Sequence, residues 1–335
     1  SDVCSSDLSM KFMDYDQIID FVKDDIDEID NLIKDCLKSD VSLIDTVSQH
    51  ITGAPSKKIR PLLVAIIGNS LNVEKEKIYK LGAVIEFIHT ATLLHDDVVD
   101  ISSKRRGKDT ANKIWGNEAS VLVGDFLYSK SFELMVDLES MDIMEILSKA
   151  TNRIAKGEVL QLMHVSDINI SYETYMKIIY NKTATLFEAA SKSTAVLANA
   201  KNSEINNLSE YGKNLGIAFQ ITDDILDLTA QNLDQIGKDI GDDIKSGKIT
   251  LPIIYSYELS NKDDRELIKN ILINKDKSEF KILKEILDRT GAIELSLEKA
   301  KYHANEAKRN ISIFEESNYK DLMIKLVDFS IYREK

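Results

Sequence analysis

Two aspartate clusters of one form, Asp96-Asp97-Val98-Val99-Asp100 and Asp223-Asp224-Ile225-Leu226-Asp227, lie 127 residues apart in apolar surroundings. On a helix, residues four apart share a face, so Asp96 pairs with Asp100 and Asp223 with Asp227. Two such helices facing across a cavity would present hard oxygen ligands to Mg²⁺, which takes a few carboxylates and completes its shell with water and phosphate oxygens. The chemistry implied is the binding of a diphosphate. With 33 aspartates in 335 residues, random placement gives about 0.3 such patterns, so a pair of them carries more weight than one. The run Asp24, Asp25, Asp27, Glu28 and Asp30 serves as a control and reads as a solvated helix face. Carboxylates set among Ala91, Leu93, Leu94, Phe219, Ile221 and Leu228 are costly unless paired or metal-bound.

The elements that must position these groups read as helices. Three prolines and 13 glycines are too few for a chain of many turns. Apolar periodicity predicts helices over about 14–38, 41–50, 58–70, 75–101, 110–138, 141–166, 171–198, 202–230, 248–259, 263–274, 278–290 and 292–332. No strand period stands out. Glycines 237, 241 and 247 mark a loop that brings Lys238 and Lys248 back after the second cluster. No linker or repeat divides the chain, so one helical domain over 14–335 is expected, with 1–13 a disordered terminus or non-native remnant.

Composition narrows the classes. A net charge of −13 argues against general nucleic-acid binding. Two cysteines, Cys4 and Cys36, make no disulfide framework and fit a reducing cytoplasm. The apolar run 62–67 is far short of a membrane span. Basic residues nevertheless gather near the motifs: Lys57, Lys58 and Arg60 before Pro61, Arg105 and Arg106 after Asp100, and Lys182-Thr183 within an apolar helix. Guanidinium forks and lysine point charges together suit two diphosphates.

Taken in order, Lys57-Lys58-Ile59-Arg60-Pro61, His89 through Asp100, Arg105-Arg106-Gly107, Gly124-Asp125, Lys182-Thr183, Phe219-Gln220, Asp223 through Asp227 and Gly237-Lys238 through Pro252 resemble the trans-type polyprenyl diphosphate synthases, the bacterial octaprenyl enzymes most of all. The resemblance covers about residues 14–335. It implies an all-α fold around a deep central tunnel, a homodimer, and Mg²⁺, three ions per site. It assigns Mg²⁺ to Asp96, Asp100 and Asp223, with Asp97, Asp224 and Asp227 in support. By the same resemblance, Arg105, Lys182, Thr183, Gln220 and Lys238 contact the allylic diphosphate, and Lys57, Arg60, His89 and Arg106 hold isopentenyl diphosphate. The chain departs from the family pattern at Pro55-Ser56-Lys57-Lys58, where Gly-Gly-Lys-Arg is common, and at Ile101-Ser102-Ser103-Lys104, where a Glu-Ser-Asp-Met-like stretch is common.

The implied reaction needs no protein nucleophile. Metal ions and cations stabilise the departing diphosphate, and the isopentenyl double bond attacks the allylic carbon. The departed diphosphate then takes the proton. Chain length is expected to be set by the residues four and five before Asp96, Thr92 and Ala91, whose small size predicts a product longer than farnesyl and, by resemblance, octaprenyl. Phe132 and Met135 are candidate floors of the tunnel. Such a product implies transient membrane contact without an anchor, and a quinone side chain as its destination. Two rival classes are a class I terpene cyclase, which needs no second aspartate motif, and a non-catalytic partner subunit, which tends to lose one.

Overall fold

Apolar residues at three- and four-residue spacing dictate helices whose buried faces meet in one core, and a computed structural model shows how they are laid out. It describes residues 15–54, 56–105, 107–229, 242–274 and 279–332. The expectations for Cys4, the 1–13 terminus, Pro55, Arg106 and the segment 237–241 with Lys238 lie outside the described residues.

After a helical stretch over 15–21 come α1 (Lys23–Cys36), α2 (Ser42–Thr52), α3 (Ile59–Ser70) and α4 (Lys75–Val99). A short antiparallel hairpin, β1 (Lys104–Arg105) with β2 (Lys108–Asp109), then leads into α5 (Ala111–Trp115) and α6 (Asn117–Val136). Next are α7 (Met141–Met163), α8 (Tyr172–Ile179), a π-helical turn (Tyr180–Ala184), α9 (Thr185–Leu197) and α10 (Asn202–Thr229). The remainder is α11 (Asp242–Ser246), α12 (Leu251–Leu259), α13 (Lys262–Asn274), α14 (Phe280–Thr290), α15 (Ala292–Asn310), a 3₁₀ turn (Ile311–Ile313) and α16 (Asn318–Tyr332).

The all-α expectation holds, with five corrections of detail. The hairpin was not anticipated, because two-residue strands carry no periodic signal. The expected helix 110–138 is two helices, broken at Gly116, whose φ of 90° only glycine accepts readily. The expected helix 171–198 contains the π-helical turn, and 292–332 is interrupted between Asn310 and Asn318. The N-terminal acidic run is only partly solvated. Asp25 is buried and accepts bonds from Asn69 (2.6 Å), Lys75 (2.6 Å) and Tyr79 (3.2 Å), while Asp30 pairs with Lys58. A helix phase that turns Asp25 inward brought it against α3 and α4, where bonding offsets the cost of burial.

Helix starts follow local chemistry: Ser140 accepts from Ile143 N (3.4 Å) to open α7, and Ser171 from Thr174 N (3.1 Å) to open α8. The two aspartate helices are the longest described elements and lie at the centre. α4 packs on α3 and α6, and α10 packs on α9 and α15. Tyr211, Phe87 and Phe187 are among the largest fully buried side chains, and Tyr211 Oη donates to Met323 O at 2.9 Å, tying α10 to α16. Among the described residues no helix is long and apolar enough to cross a membrane.

Candidate active site

Both aspartate helices point their clusters into one cavity of about 420 Å³. Asp96 and Asp100 line it from α4, and Asp223 and Asp224 from α10, so the sequence pairing of the two clusters is realised in space. Asp97 and Asp227 turn away and are almost fully buried. Asp97 Oδ1 accepts from Arg105 Nε (2.9 Å) and Nη2 (2.8 Å), and Asp227 Oδ2 accepts from Asp243 N (3.3 Å). Both therefore brace the walls.

Two lysines face the first cluster. Lys182 Nζ lies 3.1 Å from Asp96 Oδ2 and 2.6 Å from Glu158 Oε2, and Lys248 Nζ lies 2.6 Å from Asp100 Oδ2. Burial alone would lower the pKa of Lys182, but Asp96, Glu158 and Asp100 together outweigh it and raise the pKa, so the ammonium is held charged. Burial, reinforced by the Asp96 charge, pushes Glu158 up to about 7. The local backbone explains how Lys182 arrives there. It sits in the π-helical turn, an irregularity frequent at functional sites. Gly157 of α7 lies against that turn, where an added Cβ would stand 2.8 Å from Lys182 N.

The second cluster is organised by a hydrogen-bond chain. Thr183 Oγ1 donates to Gln220 Oε1 (2.8 Å), Gln220 Nε2 donates to Asp224 Oδ1 (2.8 Å), and Tyr175 Oη donates to Asp224 Oδ2 (2.6 Å). Burial, with the Asp243 charge, pushes Asp224 up to about 8, opposed by its two donors. Farther along the cavity wall are Lys57, Arg60 and His89. Arg60 Nη1 is 3.2 Å from His89 Nε2, and its guanidinium covers the Phe187 ring at 4.4 Å; Lys57 Nζ stands 4.8 Å from the Phe329 ring centroid.

The structure thus brings together Lys57, Arg60, His89, Thr92, Asp96, Asp100, Arg105, Lys182, Thr183, Gln220, Asp223 and Asp224. It does not bring the proposed floors: Phe132 is 41% exposed and Met135 is buried elsewhere in the core, and neither lines the cavity. Their helix, α6, presents other residues toward α4. Ala91 is fully buried and is not among the lining residues, whereas Thr92 and Leu93 are. Sequence reasoning missed Glu158, Gln161, His164 and Tyr175, which also line the cavity. None of them forms a local motif, because each meets its partners only through the fold.

A cavity with two carboxylate clusters, facing ammonium groups and a separate basic end defines a class of enzyme that handles diphosphates. Residues 41–290 match the polyprenyl synthetase family. The chain is 38% identical over 324 residues to octaprenyl diphosphate synthase of Escherichia coli, covering 96% of this chain and 100% of that one. It is 40% identical over 322 residues to octaprenyl diphosphate synthase of Haemophilus influenzae, covering 96% and 98%. A Caulobacter crescentus polyprenyl synthase, crystallised with calcium and isoprenyl diphosphate, superposes with a TM-score of 0.92 at 39% identity, covering 96% and 98%. The chain belongs to the polyprenyl synthetase family, and it is a prenyltransferase of the trans-polyprenyl diphosphate synthase type.

Proposed function

We propose that this chain adds isopentenyl diphosphate units head to tail onto an allylic diphosphate such as farnesyl diphosphate, giving an all-trans octaprenyl diphosphate for quinone side chains. The observation that carries the reading is the meeting of Asp96, Asp100 and Asp223 in one cavity whose far wall holds Lys57, Arg60 and His89. That is one site for a metal-bound diphosphate and one for a second diphosphate.

The donor set fits Mg²⁺. Asp96, Asp100 and Asp223 supply hard carboxylate oxygens, and the lysine ammonium groups at 3.1 and 2.6 Å show the first two already turned toward positive charge. Among the described residues no three acidic, histidine or cysteine side chains close on one point. Ions held here would draw their remaining ligands from phosphate oxygens and water. When bound, Mg²⁺ supplies electrostatic stabilisation to the departing diphosphate.

The chain's own residues do the rest. Lys182 and Lys248 place charge beside the same leaving group, while Arg60 and His89 orient isopentenyl diphosphate. Leu93, Ile178, Ile179 and Phe219 give the cavity apolar wall that keeps water from the allylic carbon. As the allylic C–O bond breaks, the isopentenyl double bond forms the new C–C bond, and the departed diphosphate takes the proton lost. A homodimer fits the exposed apolar residues Leu122, Phe132 and Val136 on α6 and Met141 at the start of α7. The cysteine usage fits a cytoplasmic enzyme.

The test is incubation with Mg²⁺, farnesyl diphosphate and labelled isopentenyl diphosphate beside an Asp96→Ala control. A ladder ending near forty carbons, absent from the control, supports the reading. Cyclised hydrocarbon from farnesyl diphosphate alone, or binding without turnover, refutes it.

A further inference from the structure

The first aspartate helix closes on an unexpected residue. Asp100 N, Ile101 N and Ser102 N bond back to Asp96 O, Val98 O and Asp97 O at 2.8, 3.3 and 2.9 Å. This pattern places one residue in the left-handed conformation, usually glycine. Here that residue is Ile101, at φ 54°, where a β-branched side chain is disfavoured. Its side chain is also 81% exposed, beside an exposed Val99. Neither internal packing nor backbone preference accounts for isoleucine at this place, but an outward apolar contact does.

The surroundings say what that contact is. The β1–β2 hairpin begins three residues later and exposes Lys104 and Lys108, the latter donating to Gly53 O at 3.4 Å. Segment 99–113 carries five basic residues against two acidic ones, in a chain of net charge −13. Both of those carboxylates are engaged, Asp100 by Lys248 at 2.6 Å and Asp109 by Lys113 at 2.8 Å. The end of α7 exposes Leu162 and Met163, and just beyond it Ser166 N bonds Gly247 O at 2.7 Å, next to Lys248. Asp100 and Gln161, next in sequence to Ile101 and Leu162, both line the cavity, so these two apolar points stand at its rim.

We infer that this rim is a docking surface for an anionic lipid bilayer. Ile101, Val99, Leu162 and Met163 enter the interface, and Lys104 and Lys108 meet the headgroups. Exposed apolar side chains flanked by lysines are the composition that binds anionic membrane surfaces, and each lysine near such a surface strengthens attachment. The inference rests on the proposed long prenyl diphosphate product, whose apolar chain and anionic head would pass from a cavity rim held at the bilayer.

The test is sedimentation of the full chain with vesicles of phosphatidylglycerol and phosphatidylcholine, against phosphatidylcholine alone. The wild type is expected to favour the anionic vesicles. Lys104→Gln with Lys108→Gln should weaken binding about fivefold per lysine. Ile101→Gly, which suits the backbone and so keeps the fold, should weaken it as well. Turnover of farnesyl diphosphate in detergent and the oligomeric state should stay unchanged in all variants. Equal binding to both vesicle types, equal binding by the variants, or a changed oligomeric state in Ile101→Gly would overturn the inference, the last by assigning the patch to a second copy of the chain. Product length, measured in detergent, tests the functional reading separately from the vesicle result.

Discussion

Gly157→Ala tests how closely catalysis depends on the contact between α7 and the π-helical turn. The new Cβ would stand 2.8 Å from Lys182 N, 2.9 Å from Asn181 Cβ and 3.1 Å from Asn181 C. Carbon contacts settle at about 3.5–4.0 Å, so the two segments must separate by roughly 0.6–1 Å. Two of the three obstacles are backbone atoms, which cannot swing aside as a side-chain tip can. Lys182 Nζ bonds both Glu158 of α7 and Asp96 of α4, so this separation changes its reach to the first aspartate cluster. A displacement near 1 Å in a catalytic array costs on the order of 100-fold in rate, and overpacking costs about 1–3 kcal/mol of stability. Gly68→Ala is the control, because its added Cβ would meet Ile78 Cγ1 and Cδ1 at 2.7 and 2.8 Å, an overpacking of the core between two residues that do not line the cavity. Steady-state turnover and thermal unfolding of both variants decide the matter. Turnover of Gly157→Ala within about threefold of wild type would refute the reasoning, as would an equal loss in Gly68→Ala.

Thr92→Phe should shorten the product. Thr92 lies four residues before Asp96, about 6 Å along the helix, and an extended isoprene unit of four bonds near 1.5 Å spans about 5 Å. The ladder is expected to stop short of the wild-type product, and an unchanged product distribution would remove Thr92 from the path of the growing chain. Stripping divalent ions with a chelator should abolish turnover while leaving the fold intact, with restoration by added Mg²⁺; turnover that persists after chelation would contradict the carboxylate reading. Burial, aided by Lys299 and Lys213, lowers the pKa of His303 from 6.5 to about 4, while its Nδ1 lies 2.8 Å from Asn214 Oδ1. A group with a depressed folded pKa binds protons more readily when unfolded, so its stability contribution is full above pH 6.5 and is lost as pH falls toward 4. His303→Gln should flatten that limb by up to about one proton in denaturant titrations across this range, and an unchanged slope would disprove the assignment.

The chemistry was more legible than the geometry. Four-residue spacing put Asp96 with Asp100 on one face, and the fold places both in the cavity. The same geometry turns Asp97, one residue on, about 100° away, where it meets Arg105. Asp227 is the exception on the second helix, since its carboxylate accepts from Asp243 N instead of facing the cavity. Asp25 was misread because burial depends on which neighbours the helix acquires, and Asn69, Lys75 and Tyr79 lie more than forty residues away. Gly116 escaped notice because a lone glycine is tolerated within a helix, and only its φ reveals a break. Glu158 and Tyr175 look ordinary in sequence, and their roles arise from Lys182 and Asp224 on other elements.

The π-helical turn at Tyr180–Ala184 makes fold and activity separable by a single residue. A π turn holds one more residue than an α turn, and each helical residue advances the chain by about 100°. Removing one residue there would leave a continuous helix from Tyr172 to Leu197 with its two halves still in phase, while the residues of the turn itself shift by one position. The core side of α9, with Phe187 and Ala190 at 0% exposure, could keep its register while Lys182 left the cavity. A chain one residue shorter could therefore keep the helical scaffold and lose the chemistry, so helix continuity in a relative is no guide to whether it is an enzyme.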